Sequence, residues 1–431
     1  MWRKQGSLWK TSLLLSAIAV TMSCSEQPTT PTAGRPGIAP PAANAANRKP
    51  SKHVTRPSSL DWQEEARNLV GANNLSPLAA GRVYAALSVA QYQGVVAAGD
   101  RDDDRDRDGL LRDNGLGRGG RSSLEARRGA VAGASAEVLS FFFPAATPTL
   151  EQHVQADGNA GPGNNVHPAF TRGLAIGRSV GDAMVVRAKN DHFTAPFTGT
   201  IPTGLGLWIP APNVPPVGAT LSGVTPYLLT SSSQFRPPPP LKFGSAPFLA
   251  DLQEIHTISV TRTPEQTAIA NQWNYATGTF TPTGFWNLTA ATYIEADHLD
   301  ELAATHAFAL MHAAMMDAFI GCFDAKYAYL RIRPSQADPV IKLNLVFALP
   351  NHPSYPSAHS CISAAAATVL SHIFPERQAE VTADMVQAGL SRMYAGIHYR
   401  TDINAGQALG TAVAQWAIAL DRHPGLLAAI K

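Results

Sequence analysis

Three short clusters in the last quarter of the 431-residue chain combine fixed positive charge, a helix end and, in two of them, histidine. In the first cluster, Arg333 follows Lys326 by seven residues and Pro334 comes next. Seven residues make about two helical turns, so we expect both side chains on one side of a helix that Pro334 ends. A guanidinium is a planar fork of donors and an ammonium is a compact charge, and both suit an oxyanion.

The second cluster predicts a helix N-terminus. Pro356 and Ser357 precede an apolar, alanine-rich run over residues 361–374. The free backbone N–H groups and the dipole at such an end attract an anion. We therefore expect Ser357 and the backbone N–H groups of Ala358 and His359 to face an anion, with the His359 side chain beside it.

The third cluster adds a guanidinium and a histidine with a carboxylate. Arg392 lies six residues before His398, and Asp402 follows that histidine at the helical spacing of four. We expect Asp402 to fix the tautomer of His398. Each cluster alone is weak evidence, because a histidine or a cation at a helix end is more often structural.

The elements that carry these clusters are predicted to be helices. Residues 191–244 hold many prolines, which exclude a regular helix or a central strand, but Trp208, Tyr227 and Phe235 need somewhere to pack. We predict an all-α fold: a large helical bundle with a long, ordered, proline-rich irregular segment. Apolar spacings of three and four place its helices at 61–98 with a break at 76–77, and at 122–143, 168–189, 264–275, 290–329, 357–374, 376–395 and 402–420.

Composition excludes several classes of protein. Hydrophobic residues make up 45% of the chain and charged residues 15%, against about 25% charged in an average soluble domain, so a large core can form. The net charge is +2 and no long basic stretch occurs, which argues against nucleic-acid binding. Three cysteines without a C-x-x-C pair argue against a disulfide framework and thiol chemistry.

The N-terminus predicts export. Residues 1–23 combine basic residues with an apolar run and precede Cys24, which suggests a lipoprotein signal; ordinary secretion is the alternative, because Thr21 stands where a lipobox has leucine. Residues 24–60 predict a flexible tether, and 61–431 a single catalytic domain with its motifs in 326–402. We expect a lipid anchor at the periplasmic or extracellular face as the only membrane contact. The longest later apolar run, 307–323, is interrupted and falls short of about 18 residues.

Other acids and histidines give weaker hypotheses. His298, His306 and His312 share one predicted helix, but spacings of eight and six do not stack them on one face, which argues against a zinc site. Asp317 and Asp324 lie farther along the same helix. They could support the site through hydrogen bonds or could serve helix packing.

The ordered motifs K-x6-R-P, P-S-x-H and S-R-x5-H-x3-D resemble the signature of the superfamily that joins type 2 phosphatidic acid phosphatases, bacterial acid phosphatases and vanadium-dependent haloperoxidases. Four segments, 82–92, 235–240, 262–267 and 317–326, resemble the bacterial vanadium haloperoxidase branch, so the resemblance covers roughly 61–425. Ala358 departs from it, because the family motif usually has glycine there. Its methyl group would crowd an oxyanion if the backbone required a positive φ.

The resemblance implies a cofactor, vanadate, for which phosphate is a substitute in the same site. Lys326, Arg333 and Arg392 would hold the oxygens, with Ser357 and the backbone N–H of Ala358 completing the cradle. In a haloperoxidase Lys326 would also polarise the peroxide.

The resemblance also implies the catalytic groups. His398 would bond the vanadium in a haloperoxidase, or attack phosphorus and become phosphohistidine in a phosphatase. His359 would be the general acid/base, and Asp402 would orient His398.

The motifs leave the reaction open, because vanadate and phosphate are both tetrahedral oxyanions. About 370 residues with a long helical half and a proline-rich segment resemble haloperoxidases, whereas the secreted acid phosphatases of the superfamily are shorter. We favour a haloperoxidase acting on hydrogen peroxide, a halide and a small organic substrate, with acid phosphatase as the alternative. A catalytically silent oxyanion binder is the third hypothesis, disfavoured because His359 and His398 are both present.

The resemblance further implies a halide site. His352 lies five residues before Ser357, and Phe323 lies three before Lys326. A histidine there favours bromide or iodide over chloride. The alternative is a histidine that is simply hydrogen-bonded in the loop before the helix.

Overall fold

The computed structural model describes residues 56–107, 118–160 and 165–422, together with Leu427 and Ile430. The predicted export signal, Cys24 and nearly all of the predicted tether lie outside these residues. Within them the secondary structure is helical without a strand, and one isolated antiparallel bridge joins Leu207 to Arg331. The prediction of an all-α fold is therefore confirmed.

Fourteen α-helices occur in the described ranges, with short 3-10 turns between some of them. Five come before the proline-rich segment: α1 Ser58–Ala72, α2 Pro77–Arg107, α3 Arg118–Phe142, α4 Thr147–Asn159 and α5 Pro168–Asn190. Nine come after it: α6 Ala246–Thr261, α7 Pro264–Gln272, α8 Thr281–Ala296, α9 Glu301–Tyr329, α10 Pro334–Ala337, α11 Pro339–Leu343, α12 Ala358–Ile373, α13 Gln378–Tyr394 and α14 Arg400–Asp421.

Helix α9 forms the centre of the core and packs against α2, α12 and α14. Among the described helices it alone is long and apolar enough to cross a membrane, but 94% of its most apolar stretch is buried inside the protein. The run that the sequence predicts to fall short of a membrane span, 307–323, lies within this helix and is interrupted by His312 and Asp317. Its buried methionines, Met311, Met315 and Met316, belong to the core.

Helices α12 and α14 approach each other unusually closely, and both carry predicted site residues. A Cβ atom added to Gly410 of α14 would lie 2.0 Å from the Cys361 carbonyl oxygen of α12, and one added to Gly406 would lie 2.6 Å from the Ser357 carbonyl oxygen. Close backbone contact of this kind requires glycine. It fixes the start of α14 against the start of α12.

The predicted helix boundaries differ from the structure at several places. The helix predicted over 290–329 is two helices, because the chain turns after Ala296 and Asp300 caps α9 by accepting a hydrogen bond from the Ala303 N–H. Helices α4 and α6 were not predicted, although Phe248, Leu252 and Ile255 of α6 recur at the spacing of a buried helical face.

The proline-rich segment is ordered and packed, as predicted. Trp208 is buried, and the Asp317 carboxylate of α9 accepts hydrogen bonds from the backbone N–H groups of Tyr227, Leu228 and Leu229 at 2.7, 2.7 and 2.8 Å. Asp324 accepts two bonds from the Arg236 guanidinium, at 2.6 and 2.8 Å. Both acids therefore fasten this segment to the core. Of the two roles considered for them, support of the site or helix packing, these contacts correspond to packing.

Candidate functional site

Four helix ends meet at one place and bring the three sequence clusters together. Lys326 lies in the last turn of α9, Ser357 caps the N-terminus of α12, Arg392 lies in the last turn of α13, and His398 precedes α14. Helix ends leave backbone N–H and carbonyl groups without partners in the helix, so they suit the binding of charged groups.

Arg333 reaches the site by a different path from the predicted one. Helix α9 ends at Tyr329, and Leu330 takes a left-handed conformation with φ 50°. Arg333 then lies in an extended segment and caps α10. The prediction that Lys326 and Arg333 share one helix is therefore wrong, although their side chains still converge.

The Lys326 ammonium is fully buried. It donates hydrogen bonds to the carbonyl oxygens of Pro353 at 2.9 Å and Ser354 at 3.0 Å, and to that of Pro356. Burial lowers the pKa of Lys326 to about 8. The cis peptide before Pro356 belongs to the loop that supplies these oxygens.

The two arginines are also buried. Arg333 donates to the Ile397 carbonyl at 2.7 Å and the His398 Nε2 atom at 3.0 Å. Arg392 donates to the Ser391 hydroxyl and the Ala270 carbonyl. Burial lowers the pKa of Arg333 to about 10. Burial, and to a lesser degree the Arg333 charge, lowers that of Arg392 to about 9.

These three cations have neutral partners. In the part of the chain that the structure describes, neither Lys326, Arg333 nor Arg392 forms a salt bridge with a carboxylate. A buried charge is costly unless an opposite charge compensates it. The donor set, one ammonium and two guanidiniums, therefore fits a multiply charged oxyanion such as vanadate or phosphate.

His398 presents a neutral nitrogen to this group. Its Nδ1 atom lies 3.0 Å from Asp402 Oδ2 and donates to that carboxylate, which leaves the Nε2 lone pair on the side of Arg333. Burial, followed by the Arg333 and Lys326 charges, holds the pKa of His398 well below its usual range. The predicted pairing is present, but His398 lies before the helix and Asp402 in its first turn.

The start of α12 has the predicted geometry. Ser357 is the N-cap, its hydroxyl lies 3.4 Å from the Ser360 N–H, and its own N–H donates to the Asp402 carbonyl at 3.0 Å. Ala358 is the first helical residue and is not among the described residues with positive φ. The condition under which its methyl group would crowd an oxyanion is therefore not met. Its N–H has no carbonyl partner within the helix.

His359 stands beside the cations with one nitrogen engaged. Its Nε2 atom lies 2.9 Å from the Trp273 carbonyl oxygen, just after α7, and donates to it. Burial, followed by the Arg392 charge, holds the pKa of His359 well below its usual range. The imidazole is thus neutral, and among the described residues its hydrogen bond is made through Nε2, which leaves the lone pair on Nδ1.

His352 and Phe323 lie next to the same group. Their ring centroids are 5.2 Å apart, the Lys326 ammonium lies 5.8 Å from the Phe323 ring, and Arg333 donates to His352 Nδ1 at 3.0 Å. Burial and the nearby Lys326 and Arg333 charges hold the pKa of His352 well below its usual range. His352 is thus hydrogen-bonded in the loop and also adjacent to the cations.

Several contributors were not predicted. The Ser354 hydroxyl donates to Asp402 Oδ2 at 2.5 Å, and Arg331 donates to Asp402 Oδ1 at 2.8 Å. Arg331 lies inside the first cluster and Ser354 lies two residues before Pro356 of the second, so their polar side chains were the available signal. The backbone carbonyls of Ala270 and Trp273 had no signal in the sequence, because every residue has a backbone carbonyl.

Known proteins resemble this chain in sequence and in fold. Residues 303–423 match the PAP2 superfamily. A non-specific acid phosphatase of Providencia stuartii is 38% identical over 85 residues, 19% of this chain and 34% of that protein. One of Salmonella typhi is 30% identical over 115 residues, 23% of this chain and 41% of that protein. The chain thus spans only about a third to two-fifths of these relatives.

Solved structures match over far more of the chain. A bacterial vanadium-dependent iodoperoxidase superposes with a TM-score of 0.66 at 23% identity, over 86% of this chain and 98% of that one. A bacterial vanadium-dependent chloroperoxidase gives 0.63 at 14% identity, over 86% and 97%. The chain therefore has the fold of the bacterial vanadium haloperoxidases, and its residues 303–423 match the PAP2 superfamily in sequence.

Proposed function

We propose that this chain is a vanadium-dependent haloperoxidase that oxidises bromide or iodide with hydrogen peroxide. The observation that carries the proposal is the set of three buried cations without a carboxylate partner in the described residues, arranged beside the lone pair of a neutral imidazole. The choice of haloperoxidase is supported by the fold, which matches the iodoperoxidase over 98% of that chain.

The proposed vanadate site uses only groups already described. Lys326, Arg333 and Arg392 would hold the oxygens, together with the Ser357 hydroxyl and the Ala358 N–H. His398 Nε2 would be the protein ligand. When bound, vanadate supplies a Lewis acid that activates hydrogen peroxide toward a halide without a change of metal oxidation state.

The chain's own residues orient this chemistry and move protons. The Asp402 carboxylate keeps the proton of His398 on Nδ1, so Nε2 keeps its lone pair, which accepts from Arg333 in this structure and would bind the vanadium in its place. The three carbonyls around Lys326 hold its ammonium in one place, from which its charge would polarise the peroxide. His359, anchored through Nε2, would accept or donate a proton at Nδ1.

We assign the halide to the side of the site where His352 and Phe323 lie. Lys326 and Arg333 attract an anion there, and the two rings shield it from water. The other proposed reactants are hydrogen peroxide and a small organic molecule that takes up the oxidised halogen. We also propose attachment to the outer face of a cell membrane through a lipid on Cys24.

Acid phosphatase is the second candidate, because both curated relatives are named non-specific acid phosphatases. The same three cations would hold a phosphoryl group, and His398 Nε2 would attack phosphorus to form phosphohistidine. His359 would first take up a proton at Nδ1 and then give it to the leaving oxygen as the phosphorus–oxygen bond breaks.

One experiment separates the two reactions. The purified chain is stripped of metal and oxyanions and given orthovanadate, and peroxide-dependent bromination and iodination of a phenol are followed. Hydrolysis of an aryl phosphate is measured in parallel without vanadate. Vanadate-dependent halide oxidation supports the haloperoxidase; phosphate-ester hydrolysis that vanadate inhibits, with no halide turnover, supports the phosphatase.

The variant His398→Ala is the control for the site. It should lose whichever activity the wild type has and keep the helix content measured by circular dichroism. Unchanged turnover in this variant would overturn the assignment of the site.

A further inference from the structure

A second arginine of the first motif approaches the His398–Asp402 pair from the other end. Arg331 is 3% exposed and lies two residues before Arg333. Residues two apart in an extended segment lie on the same face, so both guanidiniums turn toward the pair. Arg333 donates to His398 Nε2 at 3.0 Å, and Arg331 donates to Asp402 Oδ1 at 2.8 Å.

Helix α6, which carries none of the three motifs, holds Arg331 in place. The second guanidinium nitrogen donates to Asp251 Oδ2 of α6 at 2.9 Å. Thr401 accepts from Arg331 at 2.6 Å and donates to the same Asp251 oxygen. The guanidinium also stacks 4.0 Å from the centre of the Tyr399 ring. A planar fork held on both sides and on one face has a single orientation.

The two oxygens of Asp402 have different partners. Oδ2 accepts from His398 Nδ1, the Ser354 hydroxyl and the Tyr399 N–H, whereas Oδ1 accepts from Arg331. A carboxylate rotates readily about its last bond unless both oxygens are held. Arg331 is the side chain among the described residues that holds Oδ1.

We propose that Arg331 is a positioning residue for the oxyanion site, which holds one oxygen of Asp402 so that the other stays on His398 Nδ1. His398 Nε2 is thereby kept directed at the oxyanion, and Asp251 of α6 is the anchor of this arrangement. The inference rests on the proposed function to the extent that the site binds vanadate or phosphate.

The test uses the full chain with the variants Arg331→Met, Arg331→Lys and Asp251→Asn. The Kd values for orthovanadate and for inorganic phosphate are measured by calorimetry. We expect Arg331→Met to raise both Kd values about 10- to 100-fold, the range for groups that orient a ligand. Arg331→Lys, which keeps the charge but not the fork, and Asp251→Asn should give smaller increases.

A second readout reports on His398 itself. In protein with ¹⁵N-labelled histidine, the Nδ1–H signal that His398→Ala removes should weaken in Arg331→Met and recover in part in Arg331→Lys. A purely structural role for Arg331 would lower stability without changing this tautomer signal.

The control is Arg82→Met. Arg82 is also a buried arginine paired with a carboxylate, Asp191, and stacked on an aromatic ring, Phe193, but it lies in α2. It should lose stability and keep the wild-type Kd. The inference is overturned if folded Arg331→Met has the wild-type Kd and tautomer signal; if that variant does not fold, Arg331→Lys and Asp251→Asn decide by the same criterion. The haloperoxidase proposal is tested separately: it fails if the wild-type protein binds phosphate but oxidises no halide.

Discussion

Replacing Arg392 by methionine should stabilise the protein when no oxyanion is present. Its guanidinium is 2% exposed, and its described partners are the Ser391 hydroxyl and the Ala270 carbonyl. Burial, with the Arg333 charge, lowers the pKa of Arg392 to about 9. At about 1.36 kcal/mol per pKa unit, the buried charge costs the folded protein about 5 kcal/mol.

Methionine removes this charge and keeps most of the apolar volume against Phe347, which lies 5.2 Å from the guanidinium. The substitution also removes two hydrogen bonds, at about 1 to 1.5 kcal/mol each. The variant Arg392→Met should therefore be more stable than the wild type by about 2 kcal/mol in the free energy of unfolding.

The assay is urea denaturation in phosphate-free buffer, with and without orthovanadate. The wild type should gain about 2.7 kcal/mol at a vanadate concentration 100 times its Kd, and the variant should gain little. The order of stability should therefore reverse when vanadate is added. Arg82→Met is the matched control, because it leaves the Asp191 carboxylate buried and unpaired and should destabilise by about 3 to 5 kcal/mol.

The reasoning is refuted if Arg392→Met is less stable than the wild type without an oxyanion. It is refuted equally if vanadate stabilises both proteins to the same extent. Either result would mean that the Arg392 charge is compensated within the protein, and not by the ligand.

Three other predictions follow from the same geometry. Burial lowers the pKa of Lys326 to about 8 from its ordinary value of 10.5. Between these two pH values the unfolded chain binds more protons than the folded protein, so the free energy of unfolding should rise by about 3 kcal/mol as the pH increases. In urea melts across the range, the rise should be about 3 kcal/mol smaller in Lys326→Met than in the wild type; the buried Arg392 and Arg333, with pKa values lowered to about 9 and about 10, contribute equally in both proteins. Gly410→Ala should cost about 3 kcal/mol in the same melts, because its Cβ meets the Cys361 carbonyl oxygen. Gly321→Ala, with its nearest neighbour at 3.5 Å, should be neutral or stabilising by up to about 1 kcal/mol. His352→Phe should lower the rate with bromide and iodide relative to chloride by about tenfold in steady-state assays, and an unchanged ratio would contradict the halide assignment.

The sequence identified the charged groups of the site but not the paths that bring them together. Lys326 and Arg392 lie on helices whose spacing was correctly interpreted. Arg333 does not lie on such a helix. The spacing of seven residues corresponds to two helical turns only if α9 continues, whereas Leu330 turns the chain. A left-handed leucine has no sequence signal, since only its tertiary surroundings impose that conformation.

Partners from distant elements were missed for a similar reason. Asp251 lies about 80 residues before Arg331, on a helix that was not predicted. In the sequence alone, nothing distinguishes Asp251 from an aspartate on the protein surface. The roles of Asp317 and Asp324 stayed open until the structure showed what each one contacts, because an acid on a buried helix can serve a site or fasten a loop equally well.

The charges around His398 favour an anion at the proposed site. On the Nδ1 side, two carboxylates, Asp251 and Asp402, share the single Arg331 guanidinium, so that side has one negative charge more than it has positive charges. On the Nε2 side, Arg333 and the other two buried cations have neutral partners. The imidazole therefore lies at the boundary between a region with an excess of negative charge and a region with an excess of positive charge. A negative charge beside Nε2 is the one addition that balances the second region, and an oxyanion brings it together with enough acceptors for all three cations.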